Sequence, residues 1–181
     1  RPPRSTLFPY TTLFRSTGMG KSMQELLAAS VELNVVDGVI LPNLKMQGTK
    51  EACAYLDEEG RCSIHPYRPG ICRLFPLGRY YENGGFSYFL QTGECAKENR
   101  SKIKVSKWID TPDLTRNQQF TLQWHDLLHA MEERLTGEDE GKQQEENLLL
   151  LRLFYLLPYK GTTDFYSQFM ERMEYWNEQI R

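Results

Sequence analysis

The sequence predicts an α+β protein: a turn-rich, cysteine-bearing module with short strands, followed by a C-terminal helical appendage. Three observations predict it. All four cysteines lie between Cys53 and Cys95, in a stretch dense with turn formers such as Gly60, Pro66, Pro69, Gly70 and Gly84. Such a stretch cannot bury a continuous helix face. Apolar runs around Asp37-Gly38 and Asn83-Gly84 read as hairpins. Beyond Cys95 the apolar residues recur at helical spacing.

The elements follow in chain order. Residues 1–16 contain a near-repeat, Thr6-Leu7-Phe8 and Thr12-Leu13-Phe14-Arg15-Ser16, that resembles translated adaptor sequence. They are expected to be a non-native or disordered tail, and the chain a fragment. Residues 17–110 form the expected module. Ser22 and Glu25 predict a capping box opening a helix whose apolar face is Met23, Leu26, Leu27 and Val31. Val35 to Leu41 reads as strand, Asp-Gly turn and short strand, closed by Pro42. Residues 45–51 form a polar link with room for another short strand, and Tyr80-Tyr81 and Phe86 to Leu90 make an aromatic hairpin. Val105 to Ile109 is short and amphipathic. Residues 111–181 form the helical appendage, expected to pack on the module. Thr111-Pro112-Asp113 starts a helix with Phe120, Trp124, Leu127, Leu128, Met131 and Leu135 on one face. An acidic loop, Gly137 to Gly141, precedes Leu148 to Leu157, whose nearly all-round apolar character predicts a helix buried on several sides. A last helix carries Phe165, Phe169, Met170, Met173 and Trp176.

Composition removes several function classes. With 22 Lys and Arg against 24 Asp and Glu, the formal charge is −2. This gives no strong nucleic-acid signal and no polybasic membrane anchor, although Lys97, Arg100, Lys102, Lys104 and Lys107 form a local basic concentration. No apolar run approaches the roughly eighteen residues of a membrane span. No secretory leader is legible, so disulfides are not expected and a cytoplasmic location is. Gly18-Met19-Gly20-Lys21-Ser22 falls short of a phosphate loop because Arg15 occupies the place of the leading glycine. His125 and His129 share a helix face, but Asp126 stands where a zinc-protease helix has Glu, and packing is the expected role. No catalytic triad can be nominated.

The cysteines are spaced Cys53-x8-Cys62-x9-Cys72-x22-Cys95. Four thiolates suit one tetrahedral zinc or one iron–sulfur cluster, yet there is no Cys-x2-Cys knuckle, and buried unpaired thiols remain the alternative on spacing alone. Arg61, Arg68 and Arg73 are placed to offset a polythiolate charge or to face solvent, and His65 is a minor candidate ligand.

The stretch from Cys53 to Leu77, with Leu56-Asp57, Cys62-Ser63-Ile64, Arg68-Pro69, Cys72-Arg73 and Phe75-Pro76, resembles the central motif of the YkgJ-like cysteine-cluster family. Cys95 ahead of Val105-Ser106-Lys107-Trp108 extends the resemblance, which covers about residues 18–109. Members of that family are described as zinc- or iron-chelating proteins. The resemblance implies metal ligation by Cys53, Cys62, Cys72 and Cys95, with the metal, zinc or an iron–sulfur cluster, unresolved. Two features depart from the family: Ala54 replaces a proline, and the usual group of roughly Cys-x2-Cys-x2-Cys-Cys is absent. A chain with that group is expected to bind more metal, or bind it more tightly. The sulfurs of Cys53, Cys62 and Cys72 are expected to converge. The leading reading is thus a metal-binding protein of unassigned role. The alternatives are an iron–sulfur electron-transfer oxidoreductase and a non-metal protein that docks a partner through its C-terminal helices. Enzymatic activity, substrate and partner are left open.

Overall fold

The computed structural model describes residues 7, 9, 19–49, 51–93 and 101–181. The protein is α+β, with short antiparallel hairpins in the N-terminal half and long helices in the C-terminal half. Among the described residues no helix is long and apolar enough to cross a membrane.

Helix α1 (Met23–Ala29) opens on the capping box predicted from Ser22 and Glu25, whose side chains each accept the other's backbone N–H. It is shorter than its apolar spacing implied. Val31, expected on the helix face, instead begins strand β1 (Val31–Val36) and is fully buried. Its β-branched side chain suits an extended backbone packed against a core. Asp37 and Gly38 both take positive φ (50° and 80°), turning β1 into β2 (Val39–Leu44).

Pro42 lies inside β2 rather than ending it. The two-residue turn makes Val36–Val39 a hydrogen-bonded pair, and bonding alternates from there along the ladder. Pro42, opposite Leu33, therefore falls at a non-bonded position where its missing N–H costs the ladder nothing. Its carbonyl accepts the N–H of Leu7 (2.8 Å).

Two further hairpins follow: β3 (Met46–Gln47) with β4 (Ala52–Cys53), and β5 (Leu77–Glu82) with β6 (Gly85–Leu90). The second turns at Asn83 and Gly84, both at positive φ, as the sequence predicts. Between them lie a 3₁₀ turn (His65–Tyr67) and the short helix α2 (Gly70–Leu74).

Helix α3 (Val105–Ile109) leads to α4 (Leu114–Leu135), capped by Asp113, whose carboxylate accepts Arg116 N–H. Helix α5 (Glu140–Leu151) is capped by Asp139 in the acidic loop, and α6 (Phe165–Gln179) by Asp164. The apolar run does not stay a regular buried helix. From Arg152 to Leu156 it widens into a π-helical turn, with Leu153, Phe154 and Tyr155 buried and Leu148 57% exposed.

One core joins both halves. Met23, Leu26, Val31, Val39, Leu41 and Leu44 share a cluster with Trp124, Met131, Phe154, Phe169 and Trp176. Leu7, from the stretch set aside on sequence grounds, is buried in it and accepts the Tyr155 hydroxyl at its carbonyl. The cysteine-bearing loops lie at the margin of this core, where Cys53 and Cys72 are half-buried against it.

Candidate metal centre

Cys53 ends β4, opposite Met46. The chain then makes a closed loop to Cys62. Leu56 N–H donates to the Cys53 carbonyl (3.0 Å), and Leu56 forms a β-bridge with Cys62. Asp57 organises the turn between them: its carboxylate accepts Arg61 N–H (2.7 Å), and its N–H donates to the Arg61 carbonyl (2.9 Å). Gly60 supplies the positive φ (74°) the turn requires. The Tyr55 carbonyl accepts both the N–H and the hydroxyl of Ser63 (2.9 Å each), fixing the loop's exit. Tyr55 also shares a hydroxyl–hydroxyl hydrogen bond with Ser30 at the end of α1, which ties the loop to the core.

Past Cys62 the carbonyl of that residue accepts His65 N–H (3.2 Å), opening the 3₁₀ turn. Pro69 precedes α2, which carries Cys72 at its centre. Arg73 braces this helix. Its guanidinium donates to the Asp110 carbonyl (2.9 Å) and the Pro66 carbonyl (3.2 Å), with the Asp110 carboxylate 3.4 Å away. The Trp108 indole N–H donates to the Phe75 carbonyl (3.1 Å), so α3 closes over the end of α2.

Cys53, Cys62 and Cys72 are half-buried and not joined in disulfides. As soft donors they have the right chemistry for zinc or iron. The expected convergence is not preformed: among the described residues no group of three or more His, Cys, Asp or Glu side chains could hold an ion. Each thiol sits on its own element, β4, the bridge and α2, and backbone hydrogen bonds fix those elements individually. Cys95 lies outside the described residues, as do Lys97 and Arg100.

The basic residues divide by role. Arg73 serves as a brace between α2, the 3₁₀ turn and Asp110. Arg68 Nη1 lies 3.1 Å from His65 Nε2, while Arg68 Nε is buried with no partner among the described residues. That leaves a cationic donor two residues before the start of α2 with a hydrogen bond to give. His65 itself is exposed.

His125 stacks on Tyr81 at 3.7 Å between ring centroids and lies 3.4 Å from Asp126, while His129 sits 3.6 Å from Glu133. His125 thus packs α4 against β5, the role expected of it, whereas His129 is exposed and paired only within its own helix. Ser22 is likewise engaged in the capping box. The carbonyl of Tyr55 and the Arg73 brace were not foreseen, because each acts through a backbone partner that no side-chain motif announces.

Residues 15–96 match the family model described as "CxxCxxCC: Putative zinc- or iron-chelating domain". Every cysteine of the chain falls inside that match, though none lies two residues from another. No curated protein and no solved structure matches the chain.

Proposed function

Given that residues 15–96 match a family described as zinc- or iron-chelating, we propose that this chain binds one of these metals through Cys53, Cys62, Cys72 and Cys95. The observation that carries the reading is the placing of three half-buried thiols, none in a disulfide, along one hydrogen-bonded stretch at the edge of the core. Each thiol would lose its proton on ligation, so binding couples to loop rearrangement and to pH. Arg68 Nε is the donor best suited to a thiolate sulfur, since it has no other partner among the described residues. Bound zinc would supply folding energy alone, whereas an iron–sulfur cluster would add one-electron transfer. A cytoplasmic setting belongs to the same proposal, because a reducing compartment keeps thiol ligands available.

The test is metal content per chain by elemental analysis, with an anaerobic absorption spectrum, on the wild type and on Cys72→Ser. Serine keeps the size and loses the soft ligand, so the variant is expected to lose most or all of one metal equivalent. Zinc without visible absorption supports a structural centre. Broad visible absorption that bleaches on reduction supports the electron-transfer form. A metal-free wild type, or equal metal in Cys72→Ser, overturns the assignment.

A further inference from the structure

We propose that the face carrying Phe75 and Trp108 is a docking surface for an acidic, partly apolar segment of a partner protein. The two side chains are 44% and 39% exposed although the indole N–H is pinned to the Phe75 carbonyl, so they form a fixed apolar platform. Ile103 (53%) and Tyr67 (40%) are exposed on the adjoining segments, which the Arg73 guanidinium holds together by bonding Pro66 and Asp110 at once.

The segments that carry this platform bear charge of one sign. Residues 61–77 and 101–109 contain three arginines and three lysines and no Asp or Glu, in a chain whose formal charge is −2. Lys102, Lys104 and Lys107 are all exposed, and Asp110, the nearest acid in sequence, is engaged by Arg73. An aromatic centre with a charged rim is the anatomy of a protein interface, and a rim of exposed lysines selects carboxylates. A polyanionic nucleic acid fits less well, because exposed aliphatic Ile103 gives a base no π-face to stack on but packs readily against an apolar side chain of a peptide. This inference rests on surface groups and stands apart from the metal reading.

Fluorescence anisotropy of labelled probes against the full chain tests it. The probes are a synthetic peptide alternating Glu with Leu and Phe, the same peptide with Gln for Glu, and single-stranded oligouridylate. The acidic peptide is expected to bind, and to bind less tightly as salt rises. A Lys104→Glu/Lys107→Glu double variant should weaken it at least tenfold with an unchanged circular dichroism spectrum and unchanged metal content. Trp108→Ala should weaken it as well. The proposal is overturned by no binding, by equal binding of the Gln peptide, by an indifferent double variant, or by tighter binding of oligouridylate.

Discussion

Asn147 is the residue on which the joint between the two halves turns. It is 3% exposed; its carbonyl oxygen accepts Ile40 N–H (2.6 Å), and its amide donates to the Gly38 carbonyl (3.1 Å) and the Gln143 carbonyl (2.8 Å). Those Gly38 and Ile40 groups belong to the β1–β2 turn and its outer edge, which pairs with no third strand among the described residues. A single amide in α5 thus takes the place of a neighbouring strand for two backbone groups. Asn147→Leu keeps the forked shape of the side chain and removes all three bonds. It is expected to destabilise the fold by about 1–3 kcal/mol, the cost of leaving buried polar groups unpaired. Urea denaturation with an unchanged slope and a lower midpoint would report it; a wild-type midpoint would show that water replaces the amide.

At the scale of elements, α1, α4, α5 and α6 begin on side-chain caps, and two of these caps carry a carboxyl whose pKa folding lowers. The Glu25 carboxyl is held below its ordinary range by the Ser22 backbone N–H and then by the Ser22 hydroxyl. Asp164 is slightly raised by burial, but the Ser167 N–H and hydroxyl and the Arg116 guanidinium outweigh that and lower it overall. Arg116 grips it with two nitrogens, at 3.1 and 2.5 Å, and so joins the starts of α4 and α6. Because both pKa values are depressed on folding, the stabilisation is present above the ordinary carboxylate range and is lost as pH falls through the folded values. Melting temperature should therefore drop on acidification through and below that range. Glu25→Gln combined with Asp164→Asn should flatten the dependence, and thermal melts at stepped pH with identical slopes in both proteins would refute this. The π-helical turn is finished differently, by a side chain from another element. Arg172 of α6 donates to the carbonyls of Leu153 (2.6 Å), Leu157 (3.0 Å) and Pro158 (3.0 Å) and lies over the Tyr159 ring, supplying the donors that the end of a helix lacks.

For the whole molecule, stability is set by the shared aromatic core. Phe154 is fully buried among Trp124, Phe169 and Trp176, with ring centroids 5.1, 5.7 and 6.1 Å away. Phe154→Ala should cost about 3–5 kcal/mol, the range for deleting a buried ring. Phe154→Asp or Leu151→Asp should unfold or aggregate the protein, since the charge would have no partner there. Calorimetry and sedimentation check both, and wild-type melting in either Asp variant would remove the core role given to this segment. By itself the sequence determined the helix start at Ser22 and another within Thr111-Pro112-Asp113, the turns at Asp37-Gly38 and Asn83-Gly84, the buried face of α4 and the grouping of the cysteines. Those features are local: a cap, a turn or an apolar stripe depends on residues within a few positions of one another. Tertiary structure alone decided that Val31 leaves the helix for a strand, that Pro42 can sit inside β2, and that Leu148 faces solvent in an apolar run. It alone drew the hairpin and the C-terminal helices into one core. It also decided that Arg73 braces α2 and that Cys53, Cys62 and Cys72 stand on separate elements, with no preformed ion site among the described residues. Each of these depends on partners far along the chain, and the energy of a contact between distant residues is not written in the spacing of either one.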